Sequence, residues 1–178
     1  LPPGRVLCIS GGGALAQPFL DAGWEVVITS YPSVDWHHLP YQDASFDAVL
    51  SDQVLEHLRD PWRCRSEAER VGRPRCLHVH TTCLMNPVHG SPSDFWRFTP
   101  DGLRTLFGGF TPIEVDGWGN PLAPLAWLGA TLLHRPVPDA PWHPLHLLAT
   151  WHRPPFLIST WFVGTQPELR AGSGEQRS

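Results

Sequence analysis

The chain has 178 residues, 42% of them hydrophobic, and a formal net charge of −4, which is typical of one folded domain and excludes a chain that is disordered throughout. All 13 basic residues are arginine, so reactions that need a lysine amine are excluded, including phosphate binding by a Gly-Lys loop. Because the charge balance is acidic and the arginines are scattered, the composition predicts no nucleic-acid partner.

Short apolar runs separated by glycine and proline predict alternating strands and helices. In chain order we expect strand 5–10, helix 14–22, strands 24–29 and 46–51, helix 61–71, strand 76–81, helix 101–107, and strands 113–116 and 157–164. Pro18 is compatible with the first helix only within its first turn, because a helix interior uses the amide hydrogen that proline lacks. Strands that are apolar throughout are typical of a parallel sheet, whose ligands bind beyond the carboxyl ends of the strands.

The domain is expected to cover residues 1–164, with a proline- and tryptophan-rich insert at about 120–156. The polar tail 165–178 is expected to be disordered. The most apolar stretch, 121–133, is too short to cross a bilayer, which takes about 20 residues. Since the cysteines include no C-x-x-C pair, they fit a reducing compartment, and we expect a cytoplasmic protein.

Two sequence runs carry a resemblance to a known family. The run L-P-Y-Q-D-A-S-F-D at residues 39–47 resembles the motif before the fourth strand of class I S-adenosylmethionine-dependent methyltransferases of the type 11 branch. The run H-G-S-P-S-D-F-W-R-F-T-P-D-G-L at residues 89–103 resembles a segment of one bacterial subgroup of that branch. The likeness extends over residues 5–164.

The resemblance implies an α/β, Rossmann-like fold with a mostly parallel, seven-stranded sheet and a C-terminal antiparallel hairpin. It also implies S-adenosylmethionine as the cofactor and methyl transfer to an acceptor oxygen, nitrogen or carbon. A small-molecule or glycan-type acceptor is expected, because the chain shows no basic surface for nucleic acid.

The implied cofactor site follows the ends of three strands. A glycine-rich turn would approach the methionine part, the end of the second strand would hold the ribose, and Asp35 with Trp36 would meet the adenine. The end of the 46–51 strand would line the sulfonium. The residues implied are Ser10, Gly11, Gly12, Gly13, Thr29, Ser30, Asp35, Trp36, Ser51 and Asp52.

The sequence departs from the family pattern in this site. Only Gly12 stays in register with the pattern D/E-x-G-x-G-x-G at residues 8–14. The acid expected after the second strand is replaced by Thr29 and Ser30, and losing an ionised acceptor costs roughly 1.5–3 kcal/mol. Weaker cofactor binding is therefore expected, and a binding or scaffold module without catalysis is the alternative.

Two histidines and the long loop after the 76–81 strand supply further candidates. His57, His89 and Asp94 are candidate general bases. Arg97 is a candidate for binding an acceptor carboxylate or phosphate, and Trp96 for stacking on a flat acceptor. In the alternative interpretation, Asp94 pairs with Arg97, and His57 makes only local hydrogen bonds.

His78 and His80 alternate along a predicted strand and therefore share one face. This spacing is compatible with a metal pair completed by Cys83 or His89, but no third ligand stands at a diagnostic spacing. We therefore predict two buried, hydrogen-bonded histidines and no metal site. The sequence does not indicate an oligomeric state.

Overall fold

A six-stranded sheet organises the chain in the computed structural model, which describes residues 3–10, 13–90, 92–125, 128 and 140–168. The strands are β1 Arg5–Ile9, β2 Glu25–Thr29, β3 Phe46–Asp52, β4 Gly72–Cys83, β5 Thr111–Trp118 and β6 Ser159–Thr165. They are ordered β2-β1-β3-β4-β6-β5; β6 is antiparallel to both neighbours, and the other pairings are parallel. The predicted Rossmann-like α/β class is confirmed.

The helices with described bounds are α1 Gly13–Asp21, α2 Pro61–Val71, α3 Pro100–Leu106 and α4 Pro144–Thr150, with 3₁₀ turns at Trp36–His38 and Leu55–His57. Successive side chains of β1 point to opposite faces of the sheet, so the helices pack on two separate cores, one on each face. Val6 and Cys8 pack with Ala16 of α1 on one face of the sheet. Leu7 and Ile9 belong to the larger core on the other face, which α2 and α3 cover.

Local signals placed the helix ends correctly. Asp60 caps α2 by accepting a hydrogen bond from the Arg63 amide at 3.0 Å, and Gly72 ends the helix. Gly23, with a φ of +76°, lies just past α1, where glycine relieves the left-handed conformation. The expectation for Pro18 is wrong: it lies in the middle of α1, beyond the first turn.

The sheet has six strands where the resemblance implied seven, and the described residues contain no seventh. Residues 30–45 form the whole connection between β2 and β3. Reaching an additional parallel strand and returning would take two crossovers of about a dozen residues each. The connection holds only a turn and one 3₁₀ turn, so β2 is an edge strand.

The end of the domain lies further along the chain than expected. Thr165 pairs with Leu77 and Thr111 in the sheet, and Gln166 is buried. These two residues correct the expectation of a disordered tail from Thr165, while 169–178 lie outside the described residues. None of the helices in the described part of the chain is long and apolar enough to cross a membrane.

One backbone position in β4 departs from ordinary strand geometry. Arg75 has a φ of +64°, a region that residues other than glycine rarely adopt. It lies where the β3–β4 register shifts between Phe46 and Ala48. The side chain is exposed and pairs with Glu168 at 3.3 Å, a contact of little energetic weight at the surface.

Replacing Arg75 with glycine is expected to raise the free energy of unfolding by about 1 kcal/mol, because glycine adopts a positive φ without a Cβ penalty. Arg75→Ala is the matched control, since it also removes the Glu168 contact but keeps the strain. Urea unfolding of both variants measures the difference. A glycine variant no more stable than the alanine variant would contradict this reading of the backbone.

Candidate active site

Parallel pairing brings the carboxyl ends of β1, β2 and β3 to one edge of the sheet. Ile9 of β1 pairs with Thr29 of β2 and with Ser51 of β3. Ser10 and Asp52, each one residue further on, therefore lie at the same edge. The Ser10 amide donates to the Thr29 carbonyl at 2.8 Å, which fixes the turn to the neighbouring strand.

The chain turns sharply after β1. Ser10 has a φ of +60°, and α1 begins three residues later at Gly13. The first turn of α1 therefore starts at this edge, where its free amide groups favour an anion. Gly11 and Gly12, which the sequence placed in the cofactor site, lie outside the described residues.

Asp52 presents a half-buried carboxylate at the end of β3. It accepts a hydrogen bond from the Thr81 hydroxyl at 2.5 Å, which ties β3 to β4. Gln53, with a φ of +53°, adds a bond from its amide to the Thr81 carbonyl at 3.1 Å. This acid is close enough to Cys8 that, after burial, it is the second cause of the raised pKa of that thiol.

The end of β2 offers weaker acceptors. Thr29 is 6% exposed, and its hydroxyl lies 3.4 Å from the Cys8 carbonyl, so it faces into the sheet. Ser30 is exposed and is the polar group left at the strand end. Asp35 is also exposed and accepts from the His37 amide at 2.9 Å; this bond and the His37 ring hold the pKa of Asp35 below its usual value.

The Trp36 ring is buried and is not available to adenine, which corrects the sequence prediction. It is 3% exposed, and its ring centroid lies 5.6 Å from that of His80. The 3₁₀ turn directs the indole into the larger core, because this is the largest apolar side chain in the β2–β3 connection. Its Nε1 has no hydrogen-bond partner among the described residues.

Ser51 also differs from its prediction, because its side chain faces the core and not the cofactor edge. Its hydroxyl lies 2.8 Å from His80 Nδ1, and His80 Nε2 lies 3.3 Å from His78 Nδ1. His78 Nε2 donates to the side-chain oxygen Oε1 of Gln166 at 3.0 Å, and the side-chain nitrogen Nε2 of Gln166 donates to the Gly72 carbonyl at 3.1 Å. Because the Gln166 oxygen only accepts, His78 donates to it, His80 donates to His78, and the Ser51 hydroxyl donates to His80. Each imidazole therefore carries one proton.

Burial keeps both of these histidines neutral. It lowers the pKa of His78 from 6.5 to about 4 and the pKa of His80 well below its ordinary value. The Arg65 guanidinium also disfavours a charge on His78. The prediction of buried, hydrogen-bonded histidines is confirmed.

The long loop after β4 is held by its own charged pair. Asp94 and Arg97 form a two-pronged ion pair, and Arg97 also donates to the Trp96 carbonyl at 2.7 Å. The guanidinium holds the pKa of the Asp94 carboxyl well below its usual range, which makes Asp94 a poor proton acceptor. The alternative interpretation of this pair is thus the one that the geometry supports.

Trp96 is half-buried and is fixed beneath the same loop. Its indole nitrogen donates to the Leu58 carbonyl at 2.7 Å, and its ring meets that of Trp62 edge to face at 5.5 Å. These contacts hold the ring in place beneath the loop.

His57 and His89 come together from different segments. Their rings meet edge to face with centroids 5.0 Å apart. His57 Nδ1 lies 2.5 Å from the Ser93 carbonyl, and His89 Nδ1 lies 3.1 Å from the Pro87 carbonyl. A carbonyl only accepts, so each Nδ1 carries the hydrogen and each Nε2 keeps its lone pair.

A cavity of about 590 Å³ lies at the same edge of the sheet, beyond β4, β5 and β6. Its lining includes Leu84, Met85, Asn86, Trp118, Leu128 and Ile158. Apart from the indole N–H of Trp118, Asn86 supplies the only polar side-chain group among the described lining residues. Sequence reasoning missed this cavity, because its walls come from the loop after β4, two strand ends and the apolar insert.

Comparisons with known proteins agree with this fold. Residues 14–79 match the family described as Methyltransferase domain. The chain is 44% identical over 76 residues to an uncharacterized methyltransferase of Mycobacterium sp. (strain JLS), covering 42% of this chain and 28% of that protein. It is 34% identical over 134 residues to a probable S-adenosylmethionine-dependent methyltransferase of Mycolicibacterium smegmatis, covering 63% of this chain and 51% of that protein.

A similar solved structure is geranyl diphosphate C-methyltransferase from Streptomyces coelicolor A3(2), in complex with Mg²⁺, geranyl diphosphate and S-adenosyl-L-homocysteine. Its TM-score is 0.59 at 13% identity, over 93% of this chain and 73% of that one. This likeness concerns the fold. The chain spans about half the length, or less, of the curated relatives it matches.

Acidification is expected to remove roughly 3 kcal/mol of the free energy of unfolding through His78, whose pKa falls from 6.5 to about 4 on folding. As the pH falls, the unfolded chain binds a proton at this histidine before the folded chain does. The stability present above pH 6.5 is therefore lost as the pH falls towards 4. Chemical denaturation near both ends of this range measures the loss.

His78→Gln is the control for that measurement, because it keeps a hydrogen-bonding side chain and removes the titration. Carboxylates titrate in the same range in both proteins, so the difference between them isolates His78. If both proteins lose stability equally on acidification, the burial effect assigned to this histidine is wrong.

Proposed function

We propose that this chain, a member of the class I S-adenosylmethionine-dependent methyltransferases, binds that cofactor at the ends of β1, β2 and β3 and methylates a small-molecule acceptor. The observation that supports this most directly is the adjacency of Ser10 and Asp52 at the edge where α1 begins. Both strand ends lie in or next to the stretch that matches the methyltransferase family.

The residues at this edge suit the charges of the cofactor. The Asp52 carboxylate matches a cationic group, either the sulfonium or the amino group of the methionine part. The first turn of α1 suits the methionine carboxylate, since its amides are free donors. Bound S-adenosylmethionine supplies a methyl group activated by the positive charge on sulfur.

Ribose recognition falls to Ser30 and adenine recognition to Asp35 in this proposal. Ser30 is the exposed group at the end of β2, and Asp35 keeps one carboxylate oxygen beyond its bond to the His37 amide. A hydroxyl in place of the usual acid accepts from ribose more weakly than a carboxylate does. The affinity is therefore lower than an acid at this strand end would give.

The cavity favours an acceptor with an apolar body over a glycan. Its described lining is apolar except for Asn86 and the Trp118 indole N–H, so most sugar hydroxyls placed there would lose hydrogen bonds to water without replacement. The Asn86 amide can orient one polar group of an otherwise apolar molecule. We therefore narrow the expected acceptor class to small molecules of this kind.

Proton removal from a hydroxyl acceptor falls to His57. Its Nδ1 is held by the Ser93 carbonyl, which leaves Nε2 as the basic atom. The His89 ring packs against it and limits its rotation. Asp94 and Arg97 act as positioning residues, because their ion pair holds the loop that supplies Leu84 and Asn86 to the cavity wall.

Calorimetric titration with S-adenosylmethionine or S-adenosylhomocysteine tests the proposal. We expect micromolar binding, weakened roughly tenfold to a hundredfold by Asp52→Asn, because an ionised acceptor contributes about 1.5–3 kcal/mol. The asparagine keeps an acceptor for Thr81, so the fold should be retained.

Asp116→Asn is the matched control, because it changes a carboxylate on β5. This strand and β2 are the two outermost strands of the sheet, on opposite sides. It should leave the affinity unchanged. If millimolar cofactor gives no binding heat with the unaltered chain, the alternative of a scaffold without methyl transfer replaces this proposal.

A gain of affinity provides an independent check on the end of β2. Ser30→Asp restores an acid at an exposed position and should strengthen cofactor binding roughly tenfold or more. Ser33→Asp, in the same connection and also exposed, controls for the added charge. Equal affinities for the two variants would mean that Ser30 does not contact the ribose.

A further inference from the structure

Three side chains of ligand type converge where β4 ends, one strand further along the sheet than the proposed cofactor site. Glu56 lies in the 3₁₀ turn after β3, Cys83 is the last residue of β4, and His89 lies in the loop that follows. One carboxylate oxygen, the thiol sulfur and one ring nitrogen all lie within 4.8 Å of one another.

Glu56 carries an open coordination point inside the protein. The side chain is completely buried, and Oε2 accepts a hydrogen bond from the Thr82 hydroxyl at 2.8 Å. Oε1 is buried, and no nitrogen or oxygen donor reaches it within the described ranges. The group beside this carboxylate is the Cys83 thiol, whose pKa is raised by burial and then by Glu56, through its charge and a hydrogen bond, and Arg97 supplies positive charge nearby. A metal ion that replaced the thiol proton would place positive charge directly on this oxygen.

His89 is already held as metal-binding histidines usually are. Its Nδ1 lies 3.1 Å from the Pro87 carbonyl and 3.3 Å from an Asp94 carboxylate oxygen. Both partners only accept, so Nδ1 carries the hydrogen and Nε2 presents a lone pair. Donation of the second ring nitrogen to a carbonyl or carboxylate typically orients a histidine ligand.

We infer that Glu56, Cys83 and His89 bind a zinc ion. Thiolate, imidazole and carboxylate together are a zinc ligand set, whereas calcium and magnesium take oxygen ligands. Binding forms a sulfur–zinc bond and releases the Cys83 proton to solvent. The thiolate and the Glu56 carboxylate then balance the charge of the ion, which lowers the free-energy cost of burying it.

The geometry requires a small closure. Bonds of about 2.0–2.3 Å in a tetrahedron place ligand atoms roughly 3.5 Å apart, so the three atoms must approach by about 1 Å. His89 is half-exposed on a loop and can make this movement. Three protein ligands leave the fourth position to water.

The site would fix the wall of the cavity. The Glu56 carbonyl already accepts from the Phe95 amide at 2.7 Å, which holds the far end of the loop. Zinc on His89 would hold its middle, two residues after Pro87 in the cavity lining. This inference does not depend on methyl transfer, because its test measures the metal alone.

Cobalt(II) titration of the full, chelator-treated chain tests the site. We expect one equivalent to bind with a thiolate-to-cobalt charge-transfer absorption, which zinc then abolishes by displacing the cobalt. Absence of this absorption from the unaltered chain would overturn the inference.

Variants locate the ligands. Cys83→Ala should lose the charge-transfer absorption, and His89→Gln, on the loop where folding is least at risk, should weaken binding at least about tenfold. Cys64→Ala removes another buried free thiol and should leave the spectrum unchanged. An absorption that persists in Cys83→Ala, or unaltered affinity in His89→Gln, would contradict the assignment, and circular dichroism confirms that each variant is folded.

Discussion

The parallel pairing of β1 with β3 and of β3 with β4 is the constraint on which the site depends. It carries three separate segments to one edge of the sheet. Ser10 follows β1 there, and Asp52 and Cys83 are the last residues of β3 and β4 on the same side. Backbone hydrogen bonds between the strands set this arrangement, and the side chains at the strand ends determine which ligand can bind there. The cavity lies along this edge because β5 is parallel to β4 and ends there too.

Sequence reasoning succeeded where the signal was local. Asp60, Gly23 and Gly72 act on backbone groups within a few residues, so helix ends followed from the residues alone. It failed where a residue could face either way. Trp36 and Ser51 stand next to strand ends, and their inward orientation depends on the core that β4 and α2 build around them.

The candidate site divides in the same way. Asp94 and Arg97 are close in sequence, and their pairing was among the alternatives that the sequence allowed. Glu56, Cys83 and His89 come from three elements, so no spacing motif could join them. The polar chain through His78 ends on a side-chain amide, whereas one Glu56 carboxylate oxygen meets no nitrogen or oxygen donor among the described residues. That contrast separates a structural network from a candidate ligand site.

The central claim is that the adenosyl compound rests on the ends of β1, β2 and β3. A ¹H–¹⁵N NMR titration with S-adenosylhomocysteine tests it most directly, because amide shifts report the contact surface residue by residue. We expect the largest changes at Ser10, Ser30 and Asp52, with Asp116 on β5 unchanged. Changes concentrated on β5 and β6, with Ser10 and Asp52 unmoved, would contradict the claim.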